Sequence, residues 1–192
     1  MSNTQLTNTS WQNKVDTSLS EVERYWLKRP GALTSGLRQV GEFGIEVLNE
    51  YVAYVKGDEA YPLGLALNQP IWVREILMSI NNHKAVYARS ITELTASRAA
   101  WQGLRVLQAR PLADILYNDA AISRGDFETT QLNEGLSLQR SLSKYSELPQ
   151  GEFLARRSTF YQNNQGMTVN EVFLPGFWQE LAKHPIQQQL SF

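Results

Sequence analysis

The segment Ile71-Trp72-Val73-Arg74-Glu75-Ile76-Leu77-Met78-Ser79-Ile80 decides the fold, because its side chains alternate as they do in a β-strand. Successive residues of a strand point to opposite faces of the sheet, so Arg74 lies on a face that is otherwise apolar. The other members of that face are Trp72, Ile76, Met78 and Ile80. We therefore predict that this arginine points into the interior.

A second charge lies among apolar residues in Met167-Thr168-Val169-Asn170-Glu171-Val172-Phe173-Leu174. The same alternation places Glu171 beside Met167, Val169 and Phe173. An ion removed from water needs a partner, since its burial is costly even after relaxation. Two explanations remain open. Arg74 and Glu171 pair as a structural salt bridge, or they form the cationic and acidic ends of a pocket for a small acid.

Hairpin signals connect these strands to their neighbours. Asn81-Asn82 turns the first strand back into residues 85–91, and Asn163-Asn164-Gln165-Gly166 joins residues 153–161 to the strand of Glu171. Because hairpins and not βαβ crossovers join the strands, we predict an α+β fold. Its core is a single antiparallel β-sheet with helices on one side.

Two helical hairpins are predicted as well. A capping box over residues 20–23 starts a helix that stops at Pro30-Gly31, and residues 33–40 continue with helical period. Residues 93–108 carry an apolar stripe, and a further helix begins at Pro111. Together these segments predict four helices arranged in two pairs.

Two more residues are candidates for an anion site. Arg89 shares a strand face with apolar residues, which predicts that it points toward the same interior as Arg74; the alternative is a partly exposed edge-strand arginine with a buried stem. Leu112 lies in the first turn after Pro111, where backbone N–H groups have no helical partner and can bind a carboxylate.

The composition excludes several classes of site. The chain has no cysteine and only two histidines, so zinc–thiolate centres, iron–sulfur clusters and a Ser-His-Asp triad are excluded. Any catalysis must use carboxylates, arginines and backbone groups, and we expect no metal. A net charge of −1, with acids and bases intermixed, predicts no nucleic-acid partner.

The length of 192 residues predicts a single domain, 1–192, in which residues 1–18 form a flexible arm. Residues 1–10 are polar and carry no basic residue or apolar core, so we expect no signal peptide. No stretch approaches the roughly 20 apolar residues of a membrane span. These features predict a cytoplasmic protein.

The segments Trp72-Val73-Arg74-Glu75-Ile76-Leu77, Arg110-Pro111-Leu112, Arg156-Arg157-Ser158 and Glu171-Val172-Phe173-Leu174-Pro175 resemble those of the bacterial chorismate pyruvate-lyase family. Their order and approximate spacing match over residues 20–176. The resemblance implies a monomeric enzyme that cleaves chorismate to 4-hydroxybenzoate and pyruvate, the first committed step of ubiquinone biosynthesis, without a metal or organic cofactor.

The resemblance also implies the fold and the roles of individual residues. An antiparallel sheet would hold an internal pocket under two helical-hairpin flaps. Arg74 and the backbone N–H of Leu112 would bind the ring carboxylate, whereas Glu171 and the backbone of Leu33 would meet the 4-hydroxyl group. Arg74 and Glu171 would be the catalytic residues. Arg89 is the candidate for the second carboxylate, on the enolpyruvyl group.

The chain departs from the family pattern in three places. Residues 126–153 form a longer segment, Ser90-Ile91-Thr92-Glu93 lacks an expected proline, and Asn170 replaces a threonine.

Two alternative functions remain. One is a non-catalytic sensor or carrier of small acids, because the ligand-binding domains of one family of bacterial transcription regulators resemble this fold. Those regulators carry a winged helix ahead of the sensor, and only about 20 residues precede the first helix here, fewer than a domain needs. The other is a lyase that gives a different hydroxybenzoate isomer.

Overall fold

The computed structural model describes residues 10–184. Seven strands form one sheet in which every pairing is antiparallel, in the order β1-β2-β3-β7-β6-β4, with β5 also paired to β6. The strands are β1 (Phe43–Tyr54), β2 (Pro70–Ile80), β3 (His83–Glu93), β4 (Ser123–Arg124), β5 (Glu128–Gln131), β6 (Leu154–Gln162) and β7 (Gln165–Phe173). The prediction of an α+β fold with a single antiparallel sheet is confirmed.

Two asparagine turns fix the register of the central strands. Asn81 and Asn82 have φ angles of 49° and 64°, and Asn163 and Asn164 have φ angles of 50° and 60°. Two consecutive left-handed residues match the twist of a hairpin, and asparagine tolerates this conformation. Counting back from the second turn, Gln162 pairs with Gln165, and every later pair of the β6–β7 hairpin follows from it.

In the described part of the chain, five α-helices accompany the sheet: α1 (Glu21–Lys28), α2 (Leu33–Val40), α3 (Ala113–Leu116), α4 (Ser137–Leu142) and α5 (Pro175–Ala182). The capping box is present, since Ser20 Oγ accepts from Glu23 N and Glu23 Oε2 accepts from Ser20 N. Gly31, in the turn between α1 and α2, has a φ of 76°, a conformation that glycine adopts without strain. The first helical hairpin is therefore as predicted.

The predicted helix over 93–108 is wrong. β3 continues to Glu93, and the segment then forms two 3-10 turns, Ala96–Arg98 and Gln102–Val106. Ser97 Oγ donates to the carbonyl of Leu94, a local bond that competes with helix formation. The apolar stripe is buried all the same, against Phe160 and Met167 of the sheet.

The predicted flexible arm is only partly inside the described residues, since residues 1–9 lie outside them. Within the described part, the Trp11 side chain is buried and Gln12 forms a backbone bridge with Thr129, whereas residues 16–18 are exposed. The flexibility of the arm stays a prediction.

The two faces of the sheet are covered by different elements. One face, called the cavity face here, packs against α1, α2 and α5 through a cluster that includes Ile76, Met78 and Phe173. The opposite face, called the far face, packs against α4 through Leu138 and Leu142. The prediction that helices lie on one side is therefore wrong for α4, which belongs to the longer segment 126–153. Within residues 10–184, no helix has the length and apolar character to cross a membrane.

The far face buries a polar network centred on Glu75. Its Oε1 atom accepts from Nη1 of Arg89 at 2.6 Å and from the hydroxyls of Tyr87 and Tyr51 at 2.8 and 3.2 Å. Its Oε2 atom accepts from the hydroxyl of Tyr145 at 2.6 Å. Burial and the adjacent Glu75 carboxylate raise the pKa of Tyr145, so this phenol stays protonated and donates. The longer segment thus supplies one bond of the network.

Replacing Tyr145 with phenylalanine is expected to lower the free energy of unfolding by about 1.5–3 kcal/mol, because a buried carboxylate loses a hydrogen-bond donor. Tyr161→Phe is the control, since this hydroxyl lies on an exposed side chain and its loss should change stability by less than about 0.5 kcal/mol. Urea unfolding measures both. Equal stability of the two variants would mean that the Tyr145 hydroxyl does not support the fold.

Candidate active site

A cavity lies on the cavity face of the sheet, between the α1–α2 hairpin and the segment around α3. Its floor comes from β2, β3, β6 and β7, and its walls from residues 31–34 and 111–117. The cavity has a volume of about 50 Å³. A water molecule needs about 10–15 Å³ by this measure, so the space suits a few waters and must widen to hold a substituted ring.

Arg74 flanks this cavity on β2. Its same-face neighbour Ile76 and its cross-strand partner Ser90 both line the cavity. The side chain is 1% exposed, and its Nε atom donates to Oε1 of Glu50 at 3.0 Å. Burial lowers the pKa of Arg74, and the Glu50 carboxylate opposes this shift. The arginine therefore keeps its charge in the interior.

The head of Arg74 retains one unused donor. Nη2 donates to the carbonyls of Gln108 and Arg110, at 2.6 and 3.3 Å, and this places the guanidinium next to the start of the wall at Pro111. Nη1 is buried and has no hydrogen-bond partner among residues 10–184. A buried donor without a partner is costly, so an acceptor that reaches it is stabilised.

Glu171 lines the cavity from β7 and is held by an arginine that the sequence analysis gave no role. Its Oε2 atom accepts from Nε of Arg156 at 2.6 Å. Nη1 of Arg156 donates to the carbonyls of Trp26 and Arg29, at 3.0 and 3.1 Å, at the end of α1. Arg156 therefore fixes the carboxylate of Glu171 and ties it to the first helical hairpin.

Arg74 and Glu171 face the same side of the sheet, as predicted, but they do not pair with each other. Each has its own partner, Glu50 for the arginine and Arg156 for the glutamate. Their strands are separated by β3, so the strand axes are roughly 10 Å apart. The explanation of a direct structural salt bridge between the two is wrong, and the space between them belongs to the cavity.

The two predicted backbone sites also meet at the cavity. Leu33 is the first residue of α2, whose N-cap residue Ala32 makes no side-chain cap bond. Leu112 precedes α3 on the opposite wall. The first N–H groups of a helix have no intrahelical partner, so both walls present donors of this kind near the cavity.

The prediction that Arg89 points toward the same interior is wrong. Arg89 pairs across strands with Glu75 on the far face, whereas Ser90 is the cross-strand partner of Arg74. Its Nε atom donates to Glu59 at 2.7 Å, and its Nη1 atom donates to Glu75. Both faces of the central strands are buried. The apolar character of the face that carries Arg89 therefore did not show whether that face borders the cavity.

Three functional candidates were missed by the sequence analysis: Arg156, Arg124 and Tyr117. The position of Arg156 could have been predicted from the sequence, because a two-residue turn at Asn163-Asn164 pairs Arg156 directly with Glu171. Arg124 and Tyr117 lie in short or irregular segments, where no periodicity indicates which way a side chain points. Among residues 10–184, no group of three or more histidine, aspartate or glutamate side chains is arranged to hold a metal.

An antiparallel sheet with a largely apolar cavity that carries a few polar groups, beneath helical segments, is typical of proteins that bind a small organic ligand. The model of the family "Chorismate lyase" matches residues 5–183 of the chain. The probable chorismate pyruvate-lyase of Bordetella pertussis is 43% identical over 178 residues, covering 92% of this chain and 93% of that protein. The chain therefore belongs to the chorismate lyase family.

More distant relatives agree with this assignment. The probable chorismate pyruvate-lyase 1 of Pseudomonas entomophila is 34% identical over 181 residues, covering 94% of this chain and 97% of that protein. Among solved structures, the effector domain of PhnF from Mycobacterium smegmatis has a TM-score of 0.50 and 13% identity, covering 76% of this chain and 89% of that domain. At this identity the likeness shows the fold alone.

Proposed function

We propose that this protein is a carbon–oxygen lyase that cleaves chorismate into 4-hydroxybenzoate and pyruvate. Membership of the chorismate lyase family and the names of its relatives, probable chorismate pyruvate-lyases, support the reaction. The observation that carries the proposal on the chain itself is a cavity that Glu171 lines and that Arg74 flanks through its neighbours Ile76 and Ser90, with the Nη1 donor of Arg74 buried and unpartnered among residues 10–184.

In this proposal, the ring of the substrate lies across the cavity between the two charges. Nη1 of Arg74 and the backbone N–H of Leu112 bind the ring carboxylate. The carboxylate thereby gives Nη1 the hydrogen-bond acceptor that it lacks among residues 10–184, and this bond is charge-assisted. Glu171 and the backbone of Leu33 contact the hydroxyl on C4. Arg156 acts as a positioning residue, because it holds the carboxylate of Glu171 at 2.6 Å.

The reaction is an elimination across the bond between C3 and C4 of the ring. The C3–O bond breaks, its electron pair goes to the ether oxygen, and the C4 hydrogen leaves as a proton, so the ring becomes aromatic. The released enolate takes up one proton on its methylene carbon and becomes pyruvate, which balances the proton lost from C4. Glu171 lies at the C4 end and would orient the hydroxyl and accept or relay the C4 proton.

Aromatisation supplies much of the driving force, so the protein has mainly to hold the substrate in a reactive geometry. Such positioning is worth up to about 7–11 kcal/mol in intramolecular reactions. In our proposal the α1–α2 hairpin and the segment of residues 96–117 act as flaps that part to admit the ligand. The small cavity volume supports this step, since the closed space is too small for a ring with two substituents.

A closed pocket that satisfies both ends of 4-hydroxybenzoate would release it slowly, so we expect product inhibition. The product would enter ubiquinone biosynthesis. A sensor or carrier without activity has only the likeness of fold to the PhnF effector domain in its favour, and fold alone does not define function.

The decisive experiment mixes the purified protein with chorismate and follows the ultraviolet absorbance, with the products separated by chromatography. We expect equal amounts of 4-hydroxybenzoate and pyruvate. Formation of 3-hydroxybenzoate would indicate a lyase that gives another isomer. Binding of chorismate without turnover would indicate a sensor or carrier and would overturn the proposal.

A further inference from the structure

We propose that Arg124 binds the second carboxylate of the substrate, the one on the enolpyruvyl group. This inference rests on the proposed function and adds to it the residue that distinguishes chorismate from 4-hydroxybenzoate. The role had been assigned to Arg89, which lies on the far face and is held there by Glu59 and Glu75. A different cation must therefore meet the second carboxylate.

Arg124 occupies the mouth of the cavity, where it contacts both walls. It lies on β4, lines the cavity and is half-buried. Nη1 donates to the hydroxyl of Tyr117 at 2.9 Å and to the carbonyl of Gly31 at 3.4 Å. Tyr117 follows α3 and Gly31 lies between α1 and α2, so this guanidinium touches both proposed flaps.

The charge of Arg124 is not neutralised by a carboxylate within residues 10–184. Arg74, Arg89, Arg156 and Arg157 each form a salt bridge with a glutamate. Arg124 instead contacts neutral groups, and its guanidinium carbon lies 4.3 Å from the ring centroid of Phe127. A cation on an apolar wall, with only neutral partners, is well suited to bind an anion that enters the cavity.

The position of Arg124 fits the structure of the substrate. Chorismate carries its enolpyruvyl ether on the carbon next to the hydroxyl carbon, so the second carboxylate lies near Glu171 when the ring carboxylate is held by Arg74. The ring centroid of Phe127 is 4.3 Å from the guanidinium carbon of Arg124 and 4.4 Å from that of Arg156, which pairs with Glu171. Arg124 therefore lies near the Glu171 end of the cavity.

The sheet order separates the two carboxylate-binding arginines. β3, β7 and β6 lie between the strands of Arg74 and Arg124, so the strand axes are roughly 19 Å apart. Two long side chains that reach inward shorten this distance. In the widened cavity a ring with a side group would span the two guanidinium groups, whereas 4-hydroxybenzoate would engage Arg74 and leave Arg124 with its present partners.

The test compares chorismate with 4-hydroxybenzoate in Arg124→Gln. We expect KM for chorismate to rise at least roughly 10-fold, because a charge-assisted bond is lost, while the inhibition constant of 4-hydroxybenzoate changes less than about twofold. Arg124→Lys, which keeps the charge, should recover part of the loss. Tyr117→Phe keeps the guanidinium and should leave the ratio of the two constants unchanged. Arg105→Gln is the matched control, since Arg105 stacks on Trp72 away from the cavity.

An equal loss of affinity for both ligands, or no loss for either, would overturn the role of Arg124. Melting temperatures identify any variant that has lost its fold. If Arg124→Gln is unfolded, the two constants are compared in Arg124→Lys instead. If the wild-type protein binds chorismate without cleaving it, the proposed function fails, but the ratio of binding constants from calorimetry still tests Arg124.

Discussion

Glu171→Gln is expected to lower kcat for chorismate by about 10²–10⁴-fold, the usual contribution of a general acid or base. The amide keeps the size of the side chain and can still accept a hydrogen bond from Arg156, but it cannot take a proton. KM should change little, because Arg74 continues to hold the ring carboxylate. Initial rates over a range of chorismate concentrations separate the two constants.

Glu128→Gln is the matched control for this variant. Glu128 also accepts from a buried arginine, Arg157, at 2.8 Å, and the two residues pair on neighbouring strands. Neither lines the cavity. The control should therefore lose stability to a similar extent and retain its activity. Wild-type turnover in Glu171→Gln would remove this residue from the chemistry, and equal losses in both variants would reduce its role to supporting the fold.

Arg74→Gln is expected to weaken the binding of 4-hydroxybenzoate by roughly 10–150-fold, since a hydrogen bond to a charged group is worth about 1.5–3 kcal/mol. The protein should stay folded, because the abandoned partner Glu50 is 27% exposed and water can solvate its carboxylate. Isothermal titration calorimetry measures the affinity, and circular dichroism reports the fold.

Arg157→Gln serves as the control for Arg74. Both arginines are 1% exposed, both pair with a partly exposed glutamate, and both carry one buried nitrogen without a partner. Only Arg74 lies on the cavity face, so only its loss should affect the ligand. Unchanged affinity in Arg74→Gln would contradict its role as the carboxylate anchor.

The strand alternation was sufficient to predict much of the cavity face. Arg74 and Glu171 stand out because each is a charge on an otherwise apolar face, and the register confirms that they share that face. Leu33 and Leu112 also line the cavity, although their proposed roles came from the family resemblance. Those roles remain predictions.

The rest of the site depends on tertiary contacts that alternation does not encode. Arg89 was placed wrongly because both faces of β3 are buried, so an apolar face did not indicate the cavity side. Arg124 lies on a strand of two residues, too short for any periodicity. The ion pair of Arg156 with Glu171 follows from the hairpin register, once the two-residue turn is recognised.

The longer segment touches the site only at its start, where Phe127 lines the cavity. Residues 126–153 place α4 and Tyr145 over the network of Glu75, on the side of the sheet that is opposite the cavity. Glu75 follows Arg74 directly in sequence, so the two neighbours serve different faces. In our proposal Glu75 supports the fold and the adjacent Arg74 binds the ligand.

A crystal structure of the wild-type protein with 4-hydroxybenzoate tests the central claim most directly. The ring should lie inside the widened cavity, with its carboxylate within hydrogen-bonding distance of Nη1 of Arg74 and its hydroxyl on the carboxylate of Glu171. A ring bound outside the cavity, or inside it with Nη1 of Arg74 still lacking a partner, would contradict the account.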